Sequence, residues 1–215
     1  GLDCLFTLGG AGTHKTAALL CMEGCNVIGL PKTIDNDIYG TDVTFGFQTA
    51  VEVATEAIDR IRTTAASHSR TMLVEIMGNK AGWLTLHTGI AAGADMILIP
   101  EIPFSPESVA DFIVKQRQSG KTHTIIAVAE GAVLASEVKF KKSERTFIRT
   151  ERGETTVTPH LAEFLQQSTG FETRASVLGY LQRGGTPCAY DRLLSSRLGG
   201  FAAKLACEGR FGVTV

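Results

Sequence analysis

Three stretches of the chain carry side chains whose types and spacing suit phosphate chemistry. Gly9-Gly10-Ala11-Gly12-Thr13 follows the apolar run Cys4 to Leu8 and opens a helical pattern over Thr16 to Met22. Glycines let a backbone come close to a phosphate, and a helix N-terminus offers free N–H groups with partial positive charge. A glycine turn that only turns tightly is the plain alternative. The second stretch, Pro31-Lys32-Thr33-Ile34-Asp35-Asn36-Asp37, lies just past the apolar run Asn26 to Leu30. At a strand's carboxyl end, one of two carboxylates at i and i+2 can take a proton from a hydroxyl. The other can orient it or hold a metal, and Lys32 can neutralise phosphate charge. An Asx-type turn, bonding only its own backbone, would use the same residues. The third stretch runs from Ala175 to Pro187, through Gly179-Tyr180-Leu181-Gln182-Arg183-Gly184-Gly185, and is followed by Tyr190-Asp191-Arg192. Arg183, between a strand and a glycine pair, can reach a phosphate as a bidentate fork, and Arg174 lies at that strand's other end. Taken singly, a structural salt bridge is the default reading of either arginine.

Smaller pieces lie at similar places. Met77-Gly78-Asn79-Lys80, Pro100-Glu101 and Glu130-Gly131 each sit at a strand end, where α/β folds hold ligands. In Ser67-His68-Ser69-Arg70, His68 and Arg70 suit a helix C-terminus, whose carbonyls attract cations. Trp83 and His87, on an apolar helical stretch, read as core or half-buried packing residues.

The elements that must position these groups alternate. Short apolar runs at Cys4 to Leu8, Asn26 to Leu30, Thr71 to Met77, Met96 to Ile99, Thr124 to Ala129 and Ala175 to Leu178 predict buried strands. Between them lie helical patterns, so the fold class is α/β with parallel sheets. Over Phe47 to Thr64, Ala50, Val53, Ala54, Ala57, Ile58 and Ile61 share one helix face, while Glu52, Glu56, Asp59 and Arg60 face elsewhere. Ser105-Pro106-Glu107 predicts a capped helix start, and Gly120 its end. Lys139 to Glu154, dense in charge, predicts an exposed excursion. The entry into a strand at Leu2 predicts an excerpt of a longer protein.

Of 215 residues, 44% are hydrophobic, enough for a core, and 21 Lys and Arg balance 22 Asp and Glu. No net field recruits nucleic acid or a membrane surface, so affinity for anions must be local. No apolar run is long enough to span a bilayer, and no signal peptide opens the chain, which gives a cytoplasmic expectation. The five cysteines form no CxxC pair and read as reduced, small apolar residues.

Together these strings, in this order and approximate spacing, resemble the phosphofructokinase family. The resemblance covers nearly the whole chain and rests most on Pro-Lys-Thr-Ile-Asp-Asn-Asp and Gly-Tyr-Leu-Gln-Arg-Gly-Gly. It implies two Rossmann-like domains built as three-layer sandwiches, both incomplete at the chain's ends. Residues 1–46 with 183–215 would belong to the domain for the phosphoryl donor, and 47–182 to the domain for fructose 6-phosphate. The implied activity is phosphoryl transfer from ATP to the sugar's 1-hydroxyl, with Mg2+ as cofactor. By the same resemblance Asp35 is the base, with Lys32, Thr33 and Asp37 beside it. Gly10, Gly12 and Thr13 would bind the donor, while Arg70, Met77, Gly78, Glu130, Arg174, Tyr180 and Arg183 would hold the sugar phosphate. Arg70 and Arg174 would reach a neighbouring subunit's site, which implies a homo-oligomer, a dimer or tetramer.

The sequence also departs from the family pattern. Ala11 stands where the family carries an acid, so one magnesium ligand is missing. Asn79 replaces an arginine and Tyr180 a histidine. Gly12 goes with ATP users, where pyrophosphate users carry aspartate, and Lys32 is found with both. Pyrophosphate as donor and a non-catalytic sugar-phosphate binder are the alternatives. NAD or diacylglycerol kinases fit the glycine loop but leave the Leu178 to Pro187 string unexplained. A purely structural α/β module leaves the paired carboxylates and clustered arginines unexplained.

Overall fold

The apolar runs form strands, and every strand pair is parallel. The computed structural model describes residues 1–151, 153 and 155–215. They fall into two units, Gly1–Ala50 with Gly185–Val215, and Val51–Gly184.

The first unit contains β1 (Leu5–Gly9), α1 (Ala11–Met22), β2 (Val27–Thr33), β3 (Phe45–Gly46) and the start of α2 (Phe47–Ser67). Strand β2 is its hub. It pairs with β1 from Leu5↔Val27 to Gly9↔Pro31, and with β3 through Lys32 and Thr33. Five of its seven residues, Val27 to Pro31, are buried, as a strand covered on both faces requires. Later in the chain, the helix Ala189–Cys207 buries Ala202 and Leu205 against Ile28 and Leu30. The strand β1 departs from the buried expectation: Leu5, Phe6 and Leu8 are exposed, because among the described residues β2 is the only strand hydrogen-bonded to it. Helix α1 begins at Ala11, five residues before the apolar periodicity does, because the glycines leave the strand directly into helical turns.

The second unit holds most of α2, then β4 (Thr71–Ile76), α3 (Trp83–Ala91), β5 (Met96–Leu98), α4 (Pro106–Gln118) and β6 (Thr124–Ala129). It continues through α5 (Lys142–Glu151), α6 (Thr158–Thr169) and β7 (Thr173–Val177). The strand order is β5-β6-β4-β7, with every residue of β4 and β6 buried. Leu73, Ile126 and Val128 of the sheet meet Ile113 of α4 and Leu161 and Leu165 of α6 in one core. Each such side chain contributes roughly 1.5–3 kcal/mol by leaving water. On α2 the expected face is inside: Ala50, Ala54 and Ile58 are buried, with Val53, Ala57 and Ile61 half-buried. Ser105 caps α4, its Oγ accepting from the Ser108 N–H at 3.2 Å, and Gly120 follows the helix with φ 90°. The remaining elements, α7 (Ala189–Cys207) and β8 (Val213–Thr214), return to the first unit.

The charged segment is exposed along most of its length, as expected, with Arg149 the one buried exception among its described residues. Residues 142–151 form α5, and Arg149 lies buried against Glu137, Nη2 to Oε2 at 2.5 Å. Charge density disguised the helix because one of its cations meets a counter-ion twelve residues back rather than water. Arg152 and Glu154, within that segment, lie outside the described residues. Trp83 is 48% exposed and stacks edge-on against His87, 6.2 Å between ring centres, rather than entering the core. All five cysteines are free thiols, and Cys25 and Cys207 are exposed. No helix among the described residues is long and apolar enough to cross a membrane.

Candidate functional site

In the first unit the strand register aligns two of the candidate stretches. Because Gly9 pairs with Pro31, the glycine loop and the Lys32–Asp35 segment leave the carboxyl ends of adjacent strands together. A Cβ on Gly10 would lie 3.6 Å from the Thr33 Cβ, ordinary contact distance. Gly9 is obligatory, since a Cβ there would fall 2.1 Å from the Thr13 Oγ1 and 2.6 Å from its Cβ. A Cβ on Gly12 would meet nothing within 4 Å. The first turn of α1 carries no acidic residue and no side-chain cap, so its N–H groups keep their attraction for an anion.

The acidic turn is braced from behind. The Asp35 N–H donates to Thr33 Oγ1 at 3.2 Å, and the buried Thr44 hydroxyl donates to the Thr33 carbonyl at 2.8 Å. Asn36, at φ 51°, accepts from the Thr44 N–H at 2.9 Å, a left-handed conformation that asparagine tolerates. Asp35 is half-buried, while Lys32 and Asp37 are exposed. The turn is thus held by the Thr33 hydroxyl and by Asn36 reaching residues 42 and 44, not by an Asx turn, and it leaves Lys32 and Asp37 exposed to a ligand. Within the same unit the buried Asp191 accepts from the Thr49 N–H at 2.8 Å and its hydroxyl at 2.5 Å, tying the start of α7 to α2.

In the second unit the candidate residues divide between opposite ends of the sheet. At the carboxyl end, Glu130 Oε1 accepts from the N–H groups of Gly78 at 3.2 Å and Asn79 at 2.6 Å. The Met77 N–H donates to Gln182 Oε1 at 3.1 Å, and Gln182 Nε2 reaches the Gly179 carbonyl at 3.1 Å. Gln182 is only 2% exposed, so it locks the 3-10 turn Gly179–Arg183 to the end of β4. That turn holds Tyr180, 84% exposed, and Arg183, which makes no ion pair among the described residues.

Arg70, just before β4, and Arg174, paired with Met72, lie toward the other end, up to roughly 20 Å away along the six residues of β4. Both pair with Glu172, each at 2.9 Å. The Arg70 hydrogen bond holds the Glu172 carboxyl below the usual carboxylate range. Burial opposes this, and the charges of Arg70, Arg174 and His68 reinforce it. Arg70 thus serves a strand-end ion pair rather than the helix carbonyls, while His68 Nδ1 does approach the Thr64 carbonyl, at 3.3 Å.

Some contributors escaped the sequence reading. Gln182 stood inside a singled-out string without being marked as its anchor. Lys142 donates to Asn79 Oδ1 at 2.7 Å from a segment set aside as an excursion. A signal for Glu172 was available in its position two residues before Arg174.

Parallel sheets with a glycine turn, an acidic turn and cations at strand ends define an α/β protein of the Rossmann-like kind. A phosphofructokinase profile matches residues 1–206, and the chain belongs to that family. It is 55% identical over 214 residues to the ATP-dependent 6-phosphofructokinase of Spirochaeta thermophila, covering all of this chain and 58% of that relative. It is 49% identical over 218 residues to the pyrophosphate–fructose 6-phosphate 1-phosphotransferase of Amycolatopsis methanolica, covering 63% of it. The solved phosphofructokinase of Saccharomyces cerevisiae superposes with a TM-score of 0.79 at 34% identity, over 97% of this chain and 29% of that one. The chain thus spans under two thirds of the length of these relatives.

Proposed function

We propose that this chain supplies the reacting part of a 6-phosphofructokinase, which transfers a phosphoryl group from ATP to the 1-hydroxyl of fructose 6-phosphate. The observation that carries this reading is the alignment of Gly9–Thr13 with Lys32–Asp35 at the ends of paired strands, where Gly10 meets Thr33. Donor phosphates at Gly10, Gly12 and Thr13 would then lie beside the acidic turn.

Asp35 takes the proton from the 1-hydroxyl. The resulting oxygen attacks the terminal phosphorus, the bond to the bridging oxygen breaks, and ADP leaves with that oxygen's electron pair. Lys32 and the first-turn N–H groups of α1 offset charge gathering on the phosphoryl oxygens. Thr33 holds the Asp35 backbone, and Asp37 flanks the same turn. In the second unit Met77, Gly78, Glu130, Tyr180 and Arg183 hold the sugar phosphate in this reading. Arg70 and Arg174, at the opposite strand ends, serve a neighbouring subunit's site, and a homo-oligomer follows. Residues 1–46 with 183–215 act on the donor and 47–182 on the sugar.

Among the described residues the magnesium ion that the family implies has no closed cage of protein ligands. Among the described residues no three His, Cys, Asp or Glu side chains gather to hold a metal, and Ala11 offers only a methyl at the start of α1. A magnesium ion carried on the substrate's phosphates asks for only one or two carboxylates, which the Asp35–Asp37 turn would supply.

Gly12, standing where the family's pyrophosphate users carry aspartate, supports a nucleotide as donor. The Amycolatopsis relative, named for pyrophosphate, keeps the second donor in view. A coupled assay of the intact protein with fructose 6-phosphate and each donor tests the proposal. Fructose 1,6-bisphosphate formed from ATP is expected. Tight sugar-phosphate binding without product from either donor would instead mark a sensor.

A further inference from the structure

Asp35 stands at the neck of a loop, not on a strand or helix. Strand β2 ends at Thr33, and β3 begins at Phe45 beside it, with Lys32 paired to Phe45 and Thr33 to Gly46. Between them the chain leaves the sheet, turns through Gly40 at φ 79° and returns at Thr44. Tyr39, at the tip, is exposed. A loop fixes a side chain less exactly than a strand does, whereas a general base must come within about 2.6–3.2 Å of the oxygen whose proton it takes.

Two side chains clasp that neck. Thr44 is fully buried, and three of its polar groups are engaged. Its hydroxyl donates to the Thr33 carbonyl at 2.8 Å and its N–H to Asn36 Oδ1 at 2.9 Å. Its carbonyl accepts from the Phe47 N–H at 3.3 Å, at the head of α2. Asn36 Nδ2 donates to the Asp42 carbonyl at 3.4 Å, so one amide spans both arms of the loop. Asn36 takes a left-handed φ of 51°, which glycine adopts more easily, and the amide it carries instead is spent on the clasp. Residues 33 and 36, on either side of Asp35, are thereby both held to one buried threonine.

We infer that Thr44 and Asn36 are positioning residues for Asp35, fixing the backbone on both sides of the base so that its carboxylate meets the reacting hydroxyl. Thr44, wholly buried, acts through Thr33 and Asn36 and not on a ligand. Without its hydroxyl the Thr33 carbonyl loses a donor, residue 33 can rotate, and Asp35 moves with it, since its N–H is bonded to Thr33 Oγ1. A reacting group misplaced by about 1 Å can cost about 10² in rate. The groups assigned to the sugar phosphate lie in the second unit and are left as they were, so the loss falls on kcat and not on KM. The inference rests on the reading of Asp35 as the base and extends it to two residues outside the assigned set.

The test is steady-state kinetics of the intact enzyme with fructose 6-phosphate and ATP, for wild type, Thr44→Val, Thr44→Ser and Asn36→Gly. Thr44→Val keeps the shape and should lower kcat about tenfold or more, with the sugar-phosphate KM within about threefold of wild type. Thr44→Ser, which keeps the hydroxyl, should restore kcat to within about threefold. Asn36→Gly accepts the left-handed backbone, removes only the amide and should show the same split. It carries the comparison where Thr44→Val fails to fold. Added to Asp35→Asn, Thr44→Val should cost no further kcat, because it acts only through that carboxylate. A wild-type kcat in both Thr44→Val and Asn36→Gly, a serine variant as slow as the valine one, or an undiminished loss on top of Asp35→Asn would overturn the inference and leave Asp35 as the base. A wild type without turnover, or an Asp35→Asn variant at the wild-type rate, would overturn the functional reading and this inference with it.

Discussion

Replacing Arg149 by methionine tests whether α5 is anchored by charge. The guanidinium donates to both Glu137 oxygens, at 2.5 and 3.3 Å, and to the Ala132 carbonyl at 3.2 Å. Arg149 is 8% exposed and Glu137 7%, so solvent screens the pair very little. The single substitution leaves a buried carboxylate and a buried carbonyl without partners, at a cost of about 3–5 kcal/mol. Removing both charges, with Glu137→Leu and Arg149→Met, should recover much of that loss, because neither ion then has to be taken out of water. In urea, with a slope of about 1–3 kcal/mol per molar, the single variant should unfold at a midpoint lower by at least about 1 M. Amide exchange along α5 should accelerate in parallel. Single variants within about 0.5 kcal/mol of wild type, or a double variant whose loss is the sum of the singles, would refute the anchoring argument.

Other perturbations address the site directly. Arg183→Ala removes a cation with no ion pair among the described residues and should raise the KM for fructose 6-phosphate about tenfold or more with little change in stability, as steady-state kinetics would register. Gly9→Ala forces Thr13 aside and should cost about 1–3 kcal/mol in thermal unfolding while weakening donor affinity. Glu172→Gln should be less stable than wild type at neutral pH, by an amount that pH alters. The folded carboxyl is depressed, so its contribution is complete above the unfolded value of about 4.3. It is lost as pH falls through the lower folded value, and denaturation curves of the two proteins should converge in acid.

The local rules carried most of the fold. Runs such as Thr124 to Ala129 are buried on both faces of a parallel sheet, and their composition says so without help from the rest of the chain. The capped start of α4 and the one-sided face of α2 are likewise written within a few residues of themselves. What escaped was decided at a distance. Arg149 is buried only because Glu137 waits in the 3-10 turn Ala135–Glu137, and no periodicity of a charged decapeptide announces that. The exposure of Leu5, Phe6 and Leu8 depends on β1 pairing, among the described residues, with β2 alone.

The site divides in the same way. Gly9 to Thr13 and Lys32 to Asp37 were legible because turn chemistry and strand ends are local, and parallel register then aligned them. Gln182 was hidden, since an amide in a polar string gives no sign that it will be 2% exposed and bonded to Met77. Lys142 was hidden for the opposite reason, one lysine among many. Only the fold shows that its partner is Asn79.

The proposed chemistry stands or falls with Asp35. The direct measurement is kcat of Asp35→Asn in the intact enzyme, with fructose 6-phosphate affinity followed by calorimetry. A fall in kcat of about 10²–10⁴, with the sugar-phosphate Kd within threefold of wild type, is the predicted result. A variant that turns over at the wild-type rate would contradict it.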